Sequence, residues 1–164
     1  MGIALRAPGS VRRLRLPYRS AFVAELHWSD DDEPVEVLNV HLAAPHVHPV
    51  VQRLWDRRGQ VRDVIAHLDA TPRRRRVLAG DLNATPFWPA YRRLRERLGD
   101  AVEEAARRNG RRAERTWGPG TVRRGSSAST TCWSRASSRR TRGSCPSGGS
   151  DRSALVADLV LAPG

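Results

Sequence analysis

Val-Leu-Ala-Gly-Asp-Leu-Asn-Ala-Thr-Pro, residues 77–86, is the stretch that decides the fold, and Val-Leu-Asn-Val-His-Leu at 37–42 answers it upstream. Each opens on an apolar run with β-branched members, the composition of a strand inside a covered sheet. Each also delivers polar groups at its exit: Asp81 and Asn83 from the one, His41 from the other. Ligands of α/β sheets bind outside the carboxyl ends of the strands, so these three side chains are candidates for one shared site.

Working outward, residues 20–28 read as a strand and Asp30-Asp31-Asp32-Glu33-Pro34 as the turn that ends it. Residues 35–42 then return as its antiparallel neighbour, which makes the acidic run a solvated hairpin tip rather than a cation site. Val50, Val51, Leu54 and Trp55, then Val61, Val64, Ile65 and Leu68, recur at helical spacing and predict one long amphipathic helix, with Gly59 the place for a break. The cluster Arg73–Arg76 reads as a solvated loop before the next strand. A second helix is expected over 88–98, opened by Pro89 and stopped by Gly99. Strand, helix, strand, helix in that order implies a layered α/β architecture. From 118 to 149 there is no apolar periodicity, and Ser, Arg, Gly and Thr give the composition of an irregular or disordered stretch. Ala-Leu-Val-Ala-Asp-Leu-Val-Leu at 154–161 restores a strand signature.

The length, 164 residues, suits a single domain spanning 1–164. A formal charge of +12 invites a nucleic-acid partner, because clustered cations neutralise phosphates and release counterions. The charge is discounted as a functional signal: all 29 basic residues are Arg, the mark of a GC-rich gene, and 121–149 alone holds Arg123, Arg124, Arg135, Arg139, Arg140 and Arg142 without an acid. Cys132 and Cys145 fall in the same segment with no C-x-x-C spacing and read as incidental. His46 and His48 form an H-x-H in a Pro-flanked loop, but spacing assigns no third ligand to a metal site there. With no signal-peptide core and no long apolar run, a soluble, cytoplasmic chain is expected.

Four blocks taken together carry a resemblance: Asn39-Val40-His41-Leu42, Gly80-Asp81-Leu82-Asn83, the Thr116-Trp117 pair, and Gly-Ser-Asp-Arg-Ser-Ala-Leu-Val-Ala-Asp-Leu at 149–159. In order and spacing they resemble the endonuclease/exonuclease/phosphatase superfamily, the DNase I-like metal-dependent phosphodiesterases. The resemblance implies an α/β sandwich of two mixed sheets with helices outside. It implies divalent-metal-dependent hydrolysis of a phosphoester, with Mg²⁺ or Mn²⁺ as cofactor and nucleic acid or a small phosphorylated molecule as substrate. Asp81 would align and activate the attacking water, Asn83 would contact phosphate or metal, His41 would donate to a phosphoryl oxygen, and Asp151 would help hold the metal or orient a histidine beside it. The chemistry needs these types: a hard cation takes oxygen ligands and keeps several waters, so one or two carboxylates suffice. Each also has a plain structural role open to it, His41 as a core histidine and the others as loop or cap residues.

The chain departs from the family pattern in three places. The early strands that carry an Asn and a metal-binding Glu are expected before Gly2-Ile3-Ala4-Leu5, and the reading is of an N-terminally truncated member. Arg152 stands where the family places a histidine, and an Arg cannot serve as a general base, although it can bind phosphate. A block resembling Ile-Asp-His-Val-Leu is missing between Trp117 and Gly149. Codons can be chosen for Ser126–Ser134 that, read from their third base, spell Leu-Arg-Ile-Asp-His-Val-Leu-Val, so 121–148 is expected to be frameshifted. Impaired activity follows as an expectation. The alternatives are a non-catalytic, Arg-rich nucleic-acid-binding remnant, whose binding would be salt-sensitive, or a pseudogene product.

Overall fold

The structure is a computed structural model of the chain; it describes residues 3–6, 8–27, 33–45, 48–70 and 75–113 in full, and the backbone of 133–134, 137–146 and 153–160. Strands β1 (Gly9–Leu16), β2 (Arg19–Leu26) and β3 (Val35–His41) precede helix α1 (Val50–Ala70). Strand β4 (Arg76–Asp81), helix α2 (Pro89–Arg95), the short β5 (Gly99–Asp100) and helix α3 (Ala101–Arg108) follow, then β6 (Trp133–Ser134), β7 (Ser137–Pro146) and β8 (Ser153–Val160). A six-stranded mixed sheet runs in the order β1-β2-β3-β4-β6-β5, and β7 and β8 form a two-stranded sheet. Among the described strands, only the β3–β4 pair is parallel. That pair needs a crossover, and α1 supplies it.

The period of two along β3 and β4 builds the core. Leu38, Val40 and Leu78 are fully buried on one face, where Val61, Val64 and Leu68 of α1 and Tyr91, Leu94 and Leu98 join the same apolar cluster. Val37, Asn39, His41, Val77, Ala79 and Asp81 alternate with them and are half-buried. Strand β2 is antiparallel to β3 with Phe22 opposite Asn39, as the hairpin reading expects, although the acidic tip Asp30–Asp32 lies outside the described residues. No helix among the described residues is long and apolar enough to cross a membrane.

Four sequence-based expectations are corrected. Helix α1 continues unbroken through Gly59, because the glycine serves a contact: a Cβ there would lie 2.9 Å from Cγ of Pro17 in the β1–β2 turn. The next residue, Gln60, is fully buried and locks that turn, donating to the Pro17 carbonyl at 2.8 Å and accepting from the Ala43 amide at 2.8 Å. Arg76 is no solvated loop cation. It is buried, with Nε 2.5 Å from Glu36 Oε1 and Nη1 2.9 Å from the Leu68 carbonyl, while Glu36 also meets His67 Nε2 at 3.1 Å.

The second helix stops at Arg95 rather than Leu98, and Asp100 then caps a further helix, accepting from the amides of Val102 and Glu103. An Asp followed three residues later by a Glu is the capping signature that marks α3 in the sequence. Within 118–149, finally, the backbone of 133–134 and 137–146 is strand, and Ser137–Pro146 pairs with Ser153–Val160. Backbone pairing needs no apolar alternation, which is why composition alone did not mark it. Strand β1 escapes the sequence reading similarly, because its arginines face solvent and suppress the period-two signal.

Candidate active site

The register of β3 against β4 sets the site. Along the parallel pair Glu36 lies opposite Arg76 at the entry, and His41 lies opposite Asp81 at the exit. His41 Nε2 stands 3.8 Å from Asp81 Oδ2, with both side chains partly open to solvent. Gly80 makes this approach possible. It sits at φ 126°, and a Cβ there would fall 2.1 Å from the Val40 carbonyl oxygen, inside any permitted contact.

The turn after β4 folds back onto β3. Asn83 adopts φ 44°, a left-handed conformation that Asn tolerates better than most residues. Its amide N–H donates to Asp81 Oδ1 at 3.0 Å, and its side-chain Nδ2 donates to the Leu42 carbonyl at 2.9 Å. The Leu42 amide in turn donates to the Asp81 carbonyl at 2.9 Å. Asp81 Oδ1 is thus tied to the backbone of the turn and the Asn83 carboxamide to the exit of β3, which fixes both side chains.

Two arginines that the sequence reading passed over complete the surroundings. The antiparallel register brings the start of β2 to the exit of β3, where Arg19 Nη1 meets His41 Nδ1 at 3.0 Å. Arg57, from the second turn of α1, is buried, donates through Nη1 to the Ala43 carbonyl at 2.9 Å, and lies over the Trp88 ring at 5.3 Å. Burial pulls its pKa down to about 10, against the pull of the Asp81 charge, so it remains a cation at neutral pH. The available signal for Arg19 was topological: the first residue of a strand faces the exit of its antiparallel neighbour. For Arg57 it was a charged residue only four positions before Val61, on the buried stripe of the helix.

His41, Asp81 and Asn83 therefore lie together at the exit of the β3–β4 pair. Asp151 and Arg152 lie outside the described residues, as do His46, Cys132 and the Thr116-Trp117 pair. His48 is exposed at the start of α1. Among the described residues no group of three or more His, Cys, Asp or Glu could hold a metal ion. Asp81 and Asn83 fit part of the requirement for Mg²⁺ or Mn²⁺, which accept one or two protein oxygens and retain water.

A mixed sheet flanked by helices, gathering imidazole, carboxylate and carboxamide at one parallel strand exit, defines an α/β protein of the DNase I-like kind. The sequence matches the endonuclease/exonuclease/phosphatase family over residues 1–157, and the chain belongs to that family. The human Nocturnin catalytic domain, solved with a bound sulfate anion, superposes with a TM-score of 0.69 at 19% identity, over 93% of this chain and 59% of that one. A conserved Enterococcus faecalis protein of unknown function gives 0.63 at 15% identity, over 88% and 57%. A 3′ phosphatase from Neisseria, NExo, bound to a product DNA hairpin, gives 0.64 at 14% identity, over 94% and 72%. The chain thus spans less than three-fifths of the length of the first two. At these identities the likeness is one of fold. No curated protein matches the sequence.

Proposed function

We propose that His41, Asp81 and Asn83, together with Asp151 and Arg152, form the site of a divalent-metal-assisted phosphoester hydrolase. The observation that carries the reading is the parallel register that sets His41 beside Asp81, with Asn83 pinned to both strands. A Mg²⁺ or Mn²⁺ ion held by Asp81, Asn83 and Asp151 would neutralise phosphoryl oxygens. Asp81 orients the attacking water and accepts its proton. Arg19 fixes the His41 ring so that its Nε2–H donates to a phosphoryl oxygen as charge develops there. Arg152 attracts the phosphate but takes no proton, which leaves the chain without a second base and its turnover weak. Nucleic acid is the favoured substrate class, in keeping with the DNA held by the Neisseria relative.

The test is hydrolysis of bis-p-nitrophenyl phosphate with Mn²⁺, with Mg²⁺ and with chelator. Turnover should require the ion and fall by about 10² to 10⁴ in Asp81→Ala, the usual cost of losing a general base. Turnover that ignores both the chelator and the substitution, or the absence of any turnover, would sink the catalytic reading.

A further inference from the structure

Helices α1 and α2 leave a groove of about 740 Å³ between them, within the size range of ligand pockets. Its lining combines Trp55 and Trp88 with Arg57, Arg58, Arg62 and Arg93 and contains no acidic residue. Trp55 is 63% exposed, with Arg58 5.3 Å from its ring centroid, and Arg57 stands at the same distance from Trp88. An indole that lies open on a soluble surface is the kind of exposure that marks contact with a partner. Phe87, beside Trp88 in the chain, is 88% exposed.

Arg57 joins this groove to the candidate active site. It lines the groove, its Nη1 holds the Ala43 carbonyl just past β3, and its charge interacts with Asp81. Its Nη2 is buried and makes no hydrogen bond in the structure. A buried guanidinium nitrogen without an acceptor is costly to maintain.

We infer that this groove binds a single-stranded nucleic acid and leads it toward Asp81. The occupant must be anionic, because every charged residue of the lining is an arginine, and it must carry flat apolar rings, because two indoles stand among the apolar residues that make up the rest. A nucleic-acid strand alternates those two features, phosphates for Arg58 and Arg93 and bases for Trp55 and Trp88. A duplex hides its bases from stacking, and a lipid headgroup has charge without a ring. The inference rests on the phosphoester reading and names its substrate class.

The experiment measures binding of a fluorescein-labelled short oligothymidylate by anisotropy, with chelator present so that nothing is cleaved. Trp55→Ala should weaken binding roughly tenfold and Trp55→Phe should restore much of it, since stacking requires a ring of any kind. Circular dichroism of both variants should match the parent chain, because Trp55 is largely outside the core. Arg58→Ala with Arg93→Ala should flatten the dependence of log affinity on log salt by about 1.4, at roughly 0.7 for each phosphate no longer neutralised.

Equal affinity in Trp55→Ala and the parent overturns the groove. So does a blunt duplex bound as tightly as the strand, or a phosphatidylserine vesicle bound with the same dependence on Trp55. The two readings separate in the parent chain. Oligonucleotide held through Trp55 by a chain that shows no hydrolysis leaves the groove standing and removes the catalytic reading. Hydrolysis of bis-p-nitrophenyl phosphate with no effect of Trp55→Ala on strand binding does the reverse.

Discussion

Arg19 donates through Nη1 to Nδ1 of His41 over 3.0 Å, and a guanidinium can only donate. The ring accepts at Nδ1 and carries its proton on Nε2, the nitrogen turned toward Asp81. Arg19→Ala removes what fixes that tautomer. Metal-dependent turnover should fall by about tenfold to a hundredfold, as when the partner of a site histidine is removed. The ¹⁵N shifts of His41 should move toward a tautomer mixture. Arg19→Lys should recover part of both, because an ammonium donates without the planar fork. Unchanged ring shifts in Arg19→Ala would remove Arg19 from the site.

Gly80 gives a second prediction. Its φ of 126° and the 2.1 Å approach of the Val40 carbonyl to any Cβ leave no room for a side chain. Gly80→Ala must part β3 from β4 at their exits and separate His41 from Asp81. Urea unfolding should report a loss of about 3 kcal/mol, and turnover at low temperature, where the variant is folded, should fall further than in other variants of equal stability. Asn83→Gly keeps the backbone conformation but loses the bond to Leu42, and should cost only about 1 kcal/mol.

The two apolar runs ending in His41 and Asp81 were legible because buried strands leave an unbroken signature, and the motif spacing located Asn83 as well. The parallel register that makes them neighbours could not be read directly, since it depends on α1 crossing over the sheet. Arg19 and Arg57 were hidden for another reason. In a chain whose 29 basic residues are all Arg, two more arginines carry no compositional signal, and only the antiparallel β2–β3 pairing and the burial of one helix face single them out. Glu36 was hidden by its neighbours. A charged residue inside Val-Glu-Val-Leu reads as the outward position of a strand, yet alternation with Leu38 and Val40 puts it on the buried face, where Arg76 and His67 meet it.

Gly59 tests whether close approach or helix propensity decides a mid-helix glycine. Replacement by Ala in an exposed helix should stabilise by about 1 kcal/mol. Here the new Cβ would meet the Pro17 ring at 2.9 Å, and a proline ring cannot swing aside. We expect Gly59→Ala to lose about 1 kcal/mol net and Gly59→Val more, since its branched side chain adds bulk at the same contact. Urea midpoints measure both. A stabilised Gly59→Ala would show that the β1–β2 turn yields easily and that the glycine is an accident of sequence.

The buried carboxylates set the response to acid, and they pull in opposite directions. Burial by itself would raise the Glu36 carboxyl, but the hydrogen bond from His67 and the charge of Arg76 outweigh it and hold the group below its ordinary value of 4.5. A depressed folded pKa means that the unfolded chain binds the proton first. The stabilisation is therefore complete above about pH 4.5 and is lost as pH falls through the lower folded value. Asp100 is raised instead, because burial outweighs the bonds from Tyr91 and from the amides it caps. On acidification the folded chain takes up that proton first, which offsets part of the loss. Glu36→Gln should cost about 3 to 5 kcal/mol near neutrality, because Arg76 is left buried without its counter-charge, and should flatten the acid limb. Asp100→Asn keeps a competent helix cap and should steepen it. Urea midpoints followed from about pH 6 down to about pH 3 decide the matter. A Glu36→Gln chain with the parent's acid slope would show that Glu36 takes no part in it.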